Sequence, residues 1–166
     1  MDFAPYSEYF ESLARRLRDI GHTPEQPKFC RFNIEEVLDG LATDLDLSTP
    51  ALLLESFEGR LSDNGGDQVF DGQDAAFLVM QECELTDFAA QNAIIDQAKR
   101  IGLKIIARLR KDARQRVPGA LPVFDINQVA YQKVGPVFGN AYGYRFTFGW
   151  QEPVAVVVNE ADWLPA

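Results

Sequence analysis

The chain has 166 residues, 46% of them hydrophobic and 25% charged, and a formal net charge of −9. That length carries one domain, 1–166, with a real hydrophobic core, in the ordinary globular range of composition. No apolar run is long enough for a membrane helix, no basic–apolar–small pattern marks a signal peptide, and the acidic balance disfavours general nucleic-acid binding.

The first segment predicts a helix. Tyr6, Phe10, Leu13, Leu17 and Ile20 recur at steps of three and four, with Pro5 suited to its start and Gly21 to its stop. Pro24 and Pro27 then favour extended chain, so "KFCRF" (28–32) reads as a short strand. Asn33 with Glu36 resembles a capping box opening a short helix over Glu35–Leu41. "TPALLLESFEGRL" (49–61) and "DAAFLVMQECEL" (74–85) read as two strands of a hairpin. Their connection, "LSDNGGDQVFDGQD" (61–74), would be unusually long.

The firmest helix is Asp87–Arg116. Ile94, Ile95, Ala98, Ile101, Ile105, Ile106 and Leu109 share one side of the helical wheel. Lys99, Arg100, Lys104, Arg108, Arg110, Lys111 and Arg114 share the other. Thr86 is placed to cap its start, and Pro118 and Gly119 end it. The last third reads as β. "VFDINQVAYQKV" (123–134) is one strand, and Gly135, Pro136, Gly139 and Asn140 supply a turn. In "AYGYRFTFGW" (141–150), Tyr142, Tyr144, Phe146, Phe148 and Trp150 alternate with smaller or polar residues. "VAVVV" (154–158) is a final strand or an arm, so 151–166 is expected to be an arm or extended tail. The sum is an α+β class: a mostly antiparallel sheet of about five strands packed against an N-terminal helix and one long central helix.

Chemical motifs are few. As a calcium loop, 61–74 puts Gly65, Gln68 and Asp74 where an oxygen ligand, a glycine and a glutamate belong. As a phosphate cradle it has no lysine, and its acids repel an anion. A solvated hairpin loop is the expectation. His22 is the only histidine; it cannot build a multi-histidine metal site, and a surface or helix-terminal place is expected for it. Glycines 135, 139 and 143 lack the GxGxxG spacing and precede a strand, not a helix. Cys30 and Cys83 have no metal spacing and no disulfide framework, so buried free thiols in an intracellular, cytoplasmic protein are expected. No catalytic residue, metal or cofactor is assigned.

Charge is the informative feature. Residues 99–116 hold eight of the 16 Lys and Arg with one acid, Asp112, a balance of +7 against −16 elsewhere. A basic helix face can serve as a nucleic-acid stripe, as a mate for acidic surface on this chain or a neighbouring copy, or simply as a solvated face. The surrounding acids weaken the first.

The element order, and "VGPVFGNAYGYRFTFGW" (134–150) as a closing hairpin, resembles the small α+β fold of bacteriophage tail-terminator and related neck or tail-completion proteins over residues 6–150. The resemblance implies a non-enzymatic assembly protein that forms rings, often hexameric, by contacts between subunits. The residues expected to touch partners are then Asp63, Asn64, Asp67, Asp71 and Asp74 with Lys99, Arg100, Lys104, Arg108 and Lys111. The rival readings are a nucleic-acid-associated module on that helix face, and a small enzyme built from scattered acids and aromatics.

Overall fold

The structure, a computed structural model, describes residues 1–32, 45–63, 65 and 68–164. The elements are α1 (Phe3–Arg16), β1 (Phe29–Phe32), β2 (Ala51–Glu55), β3 (Glu58–Asp63), β4 (Val69–Glu82), α2 (Phe88–Gln115), β5 (Ala130–Val137) and β6 (Ala141–Val154). The sheet runs β1-β2-β4-β6-β5, with β3 also on β4. β1 and β2 pair in parallel, and the other described pairings are antiparallel. This is the expected α+β class, with six strands. The short helix expected over 35–41 lies outside the described residues.

The frame is a ribbon of two long strands. β4 and β6 have 14 residues each and pair from Val69↔Val154 to Glu82↔Ala141. Alternation along β6 puts Tyr144, Phe146, Phe148 and Trp150 on one face, the face both helices cover. Phe77, two registers along β4 from Ala75, stacks on Phe146 with ring centroids 5.1 Å apart. Phe10 of α1 stacks on Phe148, and Tyr6 stacks on Trp150. Each such pair adds about 1 kcal/mol to the burial of its rings, so α1 is positioned by aromatics rather than by helix propensity.

The expected hairpin differs from the one found. The run 49–61 is two strands, and both pair with β4. Leu54 faces Phe77 while Glu58 faces Asp74, so β2–β3 has one more residue than β4 across the break. That is a bulge. The extra residue turns Phe57 onto the helix face, where it meets Tyr6 at 5.2 Å and Trp150 at 5.4 Å. The expected long loop is mostly strand: 61–63 pair with 69–71, and 72–74 pair with 58–60.

Other boundaries shift for local reasons. α1 ends at Arg16, and the turn bond from Ile20 N–H to Leu17 O brings Ile20 back into the core. Asp87, not Thr86, caps α2, its Oδ1 accepting from Ala90 N at 2.9 Å. Residues 126–128 form a 3₁₀ turn, so β5 starts later than expected. Gly135 and Pro136 lie inside β5 at a register shift, and β6 continues to Val154. Residues 155–159 are not strand.

α2 is about 42 Å long at 1.5 Å per residue. It buries Ile94, Ala98, Ile101, Ile105, Ile106 and Leu109, the expected stripe without Ile95. Its closest approach is at Gly102, where an added Cβ would lie 2.0 Å from the Phe146 ring. Gly102→Ala is therefore predicted to destabilise the fold by about 1–3 kcal/mol in urea unfolding, by overpacking, although alanine is the better helix former by about 1 kcal/mol. A stabilised variant would mean that the helix does not sit this close.

Candidate interaction surfaces

Beyond β2 and β5 the β4–β6 ribbon continues as a three-stranded extension with β3 at its edge. Every residue of β3 is exposed. Asp63, Asp71 and Asp74 sit here, in strands rather than in a loop. Asn64 and Asp67 lie outside the described residues. Asp63 closes a local turn, accepting from Gly65 N at 2.8 Å. Asp71 accepts from Gln73 Nε2 at 2.7 Å on the helix face. Asp74, on the other face, has Arg60 at 3.9 Å, both largely exposed; such a pair is worth close to nothing. The described acids of this stretch are thus split between two faces of a sheet, and they do not converge as ligands.

The five candidate cations of α2 also divide. Lys99 lies over the Tyr131 ring, 5.1 Å from its centroid. Lys104 binds Asp19 through both carboxylate oxygens, at 3.0 and 2.8 Å. Arg108 Nε donates to Asp112 Oδ2 at 2.7 Å. Arg100 and Lys111 are exposed and have no ion-pair partner among the described residues. The expectation of an acidic mate on this chain therefore holds for Lys104 and Arg108, with Asp19 and Asp112 as partners and not the 61–74 acids.

Asp112, which the charge count registered only as the one acid among the cations, ties the two helices together. It is 0% exposed, one turn past Arg108 and on the same side of α2 as Ile105 and Leu109. A buried carboxylate costs several kcal/mol unless paired. Here Tyr9 OH donates to Oδ2 at 3.0 Å beside the arginine, while Oδ1 has no partner among the described residues. Burial, then the bond to Asp112, pushes the Tyr9 hydroxyl far above its usual range, which keeps it a donor. The triad ties α1 to α2. The signal that could have found it is spacing: Asp112 follows Leu109 by three residues and Ile105 by seven, on the apolar side of the helix.

A groove of about 270 Å³ lies between the same two helices, lined by Leu13, Leu17 and Ile105 with Arg16, Lys104 and Arg108. On the opposite face of the sheet, Arg145 Nε and Nη2 donate to the two Glu55 oxygens at 2.6 Å each. That bidentate pair raises the arginine further. His22 is not a surface residue: its side chain is 9% exposed. Nδ1 accepts from Lys28 N at 3.1 Å, fixing the turn between α1 and β1. Both cysteines are free and half-buried. Among the described residues no three His, Cys, Asp or Glu side chains are grouped to hold a metal, and no helix is long and apolar enough to cross a membrane.

No family model, no curated protein and no solved structure matches the chain.

The division of charges on α2 and the burial of Cys30 each generate a prediction. Arg108→Ala strands a buried carboxylate and should cost about 2 kcal/mol in urea unfolding, whereas Lys111→Ala should change stability by less than about 0.5 kcal/mol. Equal effects would contradict the assignment. Burial pushes the Cys30 thiol from 9.0 up to about 11. The folded state therefore holds that proton more tightly, so its contribution is complete below pH 9 and is lost as pH rises through about 11. In a Cys83→Ser background, iodoacetamide at pH 9 should label Cys30 at least about tenfold more slowly in the folded chain than in urea.

Proposed function

We propose that the chain is a non-enzymatic structural subunit that assembles with copies of itself, in the manner of the phage tail-terminator and neck proteins its element order resembles. One observation carries the reading: the molecule presents two unlike surfaces. One is the strand extension, whose β3 edge is unpaired among the described residues and which bears Glu58, Asp63, Asp71 and Asp74. The other is the outer side of α2, where Arg100, Arg110, Lys111 and Arg114 are exposed. Unlike surfaces on one subunit make head-to-tail contacts, and these close into a ring when the rotation permits.

Nucleic acid ranks behind this reading. Lys99, Lys104 and Arg108 are already engaged by Tyr131, Asp19 and Asp112, and phosphate would meet the acidic remainder of the chain. The cations left free on the outer side among the described residues, Arg100, Arg110, Lys111 and Arg114, would be four phosphate contacts at most, set against that acidic remainder.

Sedimentation velocity and native mass measurement across concentration and salt test the proposal. The expected result is a closed species of several copies that loosens as salt rises, since exposed charge pairs are screened within about 8 Å at physiological ionic strength. Arg100→Glu with Lys111→Glu should shift the population toward single copies without unfolding it. A strictly single-copy protein at every concentration would count against self-assembly. Duplex or single-stranded DNA bound with a steep salt slope would favour the rival.

A further inference from the structure

We propose that residues 155–164 of one copy seat in the α1–α2 groove of a neighbouring copy. The inference rests on the assembly reading and names the contact that would build it.

The segment "AVVVNEADWL" leaves the sheet after Val154. Val156, Val157, Val158, Trp163 and Leu164 are 61%, 83%, 67%, 68% and 94% exposed. So much apolar surface on one short stretch marks an interaction site. The same ten residues carry Glu160 and Asp162 and no base. The stretch is apolar and acidic at once.

The groove has the complementary character. Leu13, Leu17 and Ile105 give it apolar walls, and Arg16, Lys104 and Arg108 give it cations. Asp19 and Asp112 each offset one of these, but Arg16 has no ion-pair partner among the described residues. Arg100 and Lys111 extend the cationic wall one turn either way along α2. Its 270 Å³ has room for one large aromatic side chain. Trp163, with Asp162 beside it, fits both the volume and the charge.

Geometry favours a neighbour's groove over the chain's own. Val154 lies eight residues along β6 from Phe146, the residue beneath Gly102. That distance is about 26 Å at 3.3 Å per residue. Ten extended residues span at most about 35 Å. Turning back would spend most of the segment in transit, whereas a neighbour beside the extension receives it directly. Donor segment and acceptor groove are different surfaces, so the contact is head-to-tail and propagates around a ring.

The test places p-benzoylphenylalanine at position 163 of the full chain and mixes ¹⁴N and ¹⁵N copies before irradiation. Mass spectrometry should find heavy–light hybrid crosslinks to peptides carrying Leu13–Leu17 or Lys104–Arg108. Crosslinks confined to one copy, landing elsewhere, or absent would overturn the proposal. Separately, Trp163→Ala with Leu164→Ala should raise the dissociation constant at least about tenfold. Unchanged circular dichroism is expected, since both side chains lie outside the core. A wild-type assembly that the double variant matches would remove the arm contact and leave self-assembly standing. A wild-type chain that never associates would remove both.

Discussion

The contact between Gly102 and Phe146 sets the distance between the helix layer and the sheet, and much else depends on that distance. With no Cβ at 102, α2 settles directly onto a ring that is itself stacked on Phe77. The stack is closed by Phe148, Phe10, Trp150 and Tyr6, so α1 is held at the same height as α2. Two helices fixed side by side at one level leave a groove where their outer surfaces diverge. Its floor is therefore inherited from the aromatic layer beneath it, while Leu17 and the Asp19 partner of Lys104 come from the turn that follows α1.

The same geometry decides which charges are structural. Where α1 and α2 approach, Asp112 is sealed from water, and Arg108 and Tyr9 are drawn to it. Lys104 meets Asp19 just beyond the end of α1. These cations belong to the fold first. Further round α2 the charges face solvent, where desolvation costs little and a partner can be gained or lost without consequence for stability. One helix thus carries an inner set of charges that fasten it and an outer set that remains available.

What was legible in the sequence follows from how each segment is buried. α2 repeats its apolar stripe over many turns, and β6 alternates aromatics with small or polar residues, so both periods stand out. β3 and the first half of β4 do not: β3 is exposed throughout, and Asp71, Gly72 and Asp74 are turn formers by type. Their strand state comes from pairing with the long ribbon, which a local reading cannot see. The bulge that turns Phe57 inward depends on a register between distant segments and was equally hidden. Of the surface residues, the separation of basic from acidic stretches was readable. The Arg108–Asp112 pair, four residues apart on one helix, was also within reach of a local reading. The engagement of Lys104 by Asp19 and of Lys99 by Tyr131 was not, because those contacts join positions far apart in the chain.

The edge of β3, unpaired among the described residues, bears on what any partner there would have to be. An unpaired strand edge invites indiscriminate sheet extension, and charged side chains suppress it. Glu58, Arg60 and Asp63 line this edge in alternating sign, so a second strand must bring the matching order of charges to pair here. Similar selectivity applies at the α1–α2 groove, where an apolar segment without acids would leave cations facing a dry surface. Under the assembly proposal, both surfaces would therefore discriminate by charge pattern while drawing their affinity from buried apolar or backbone contact.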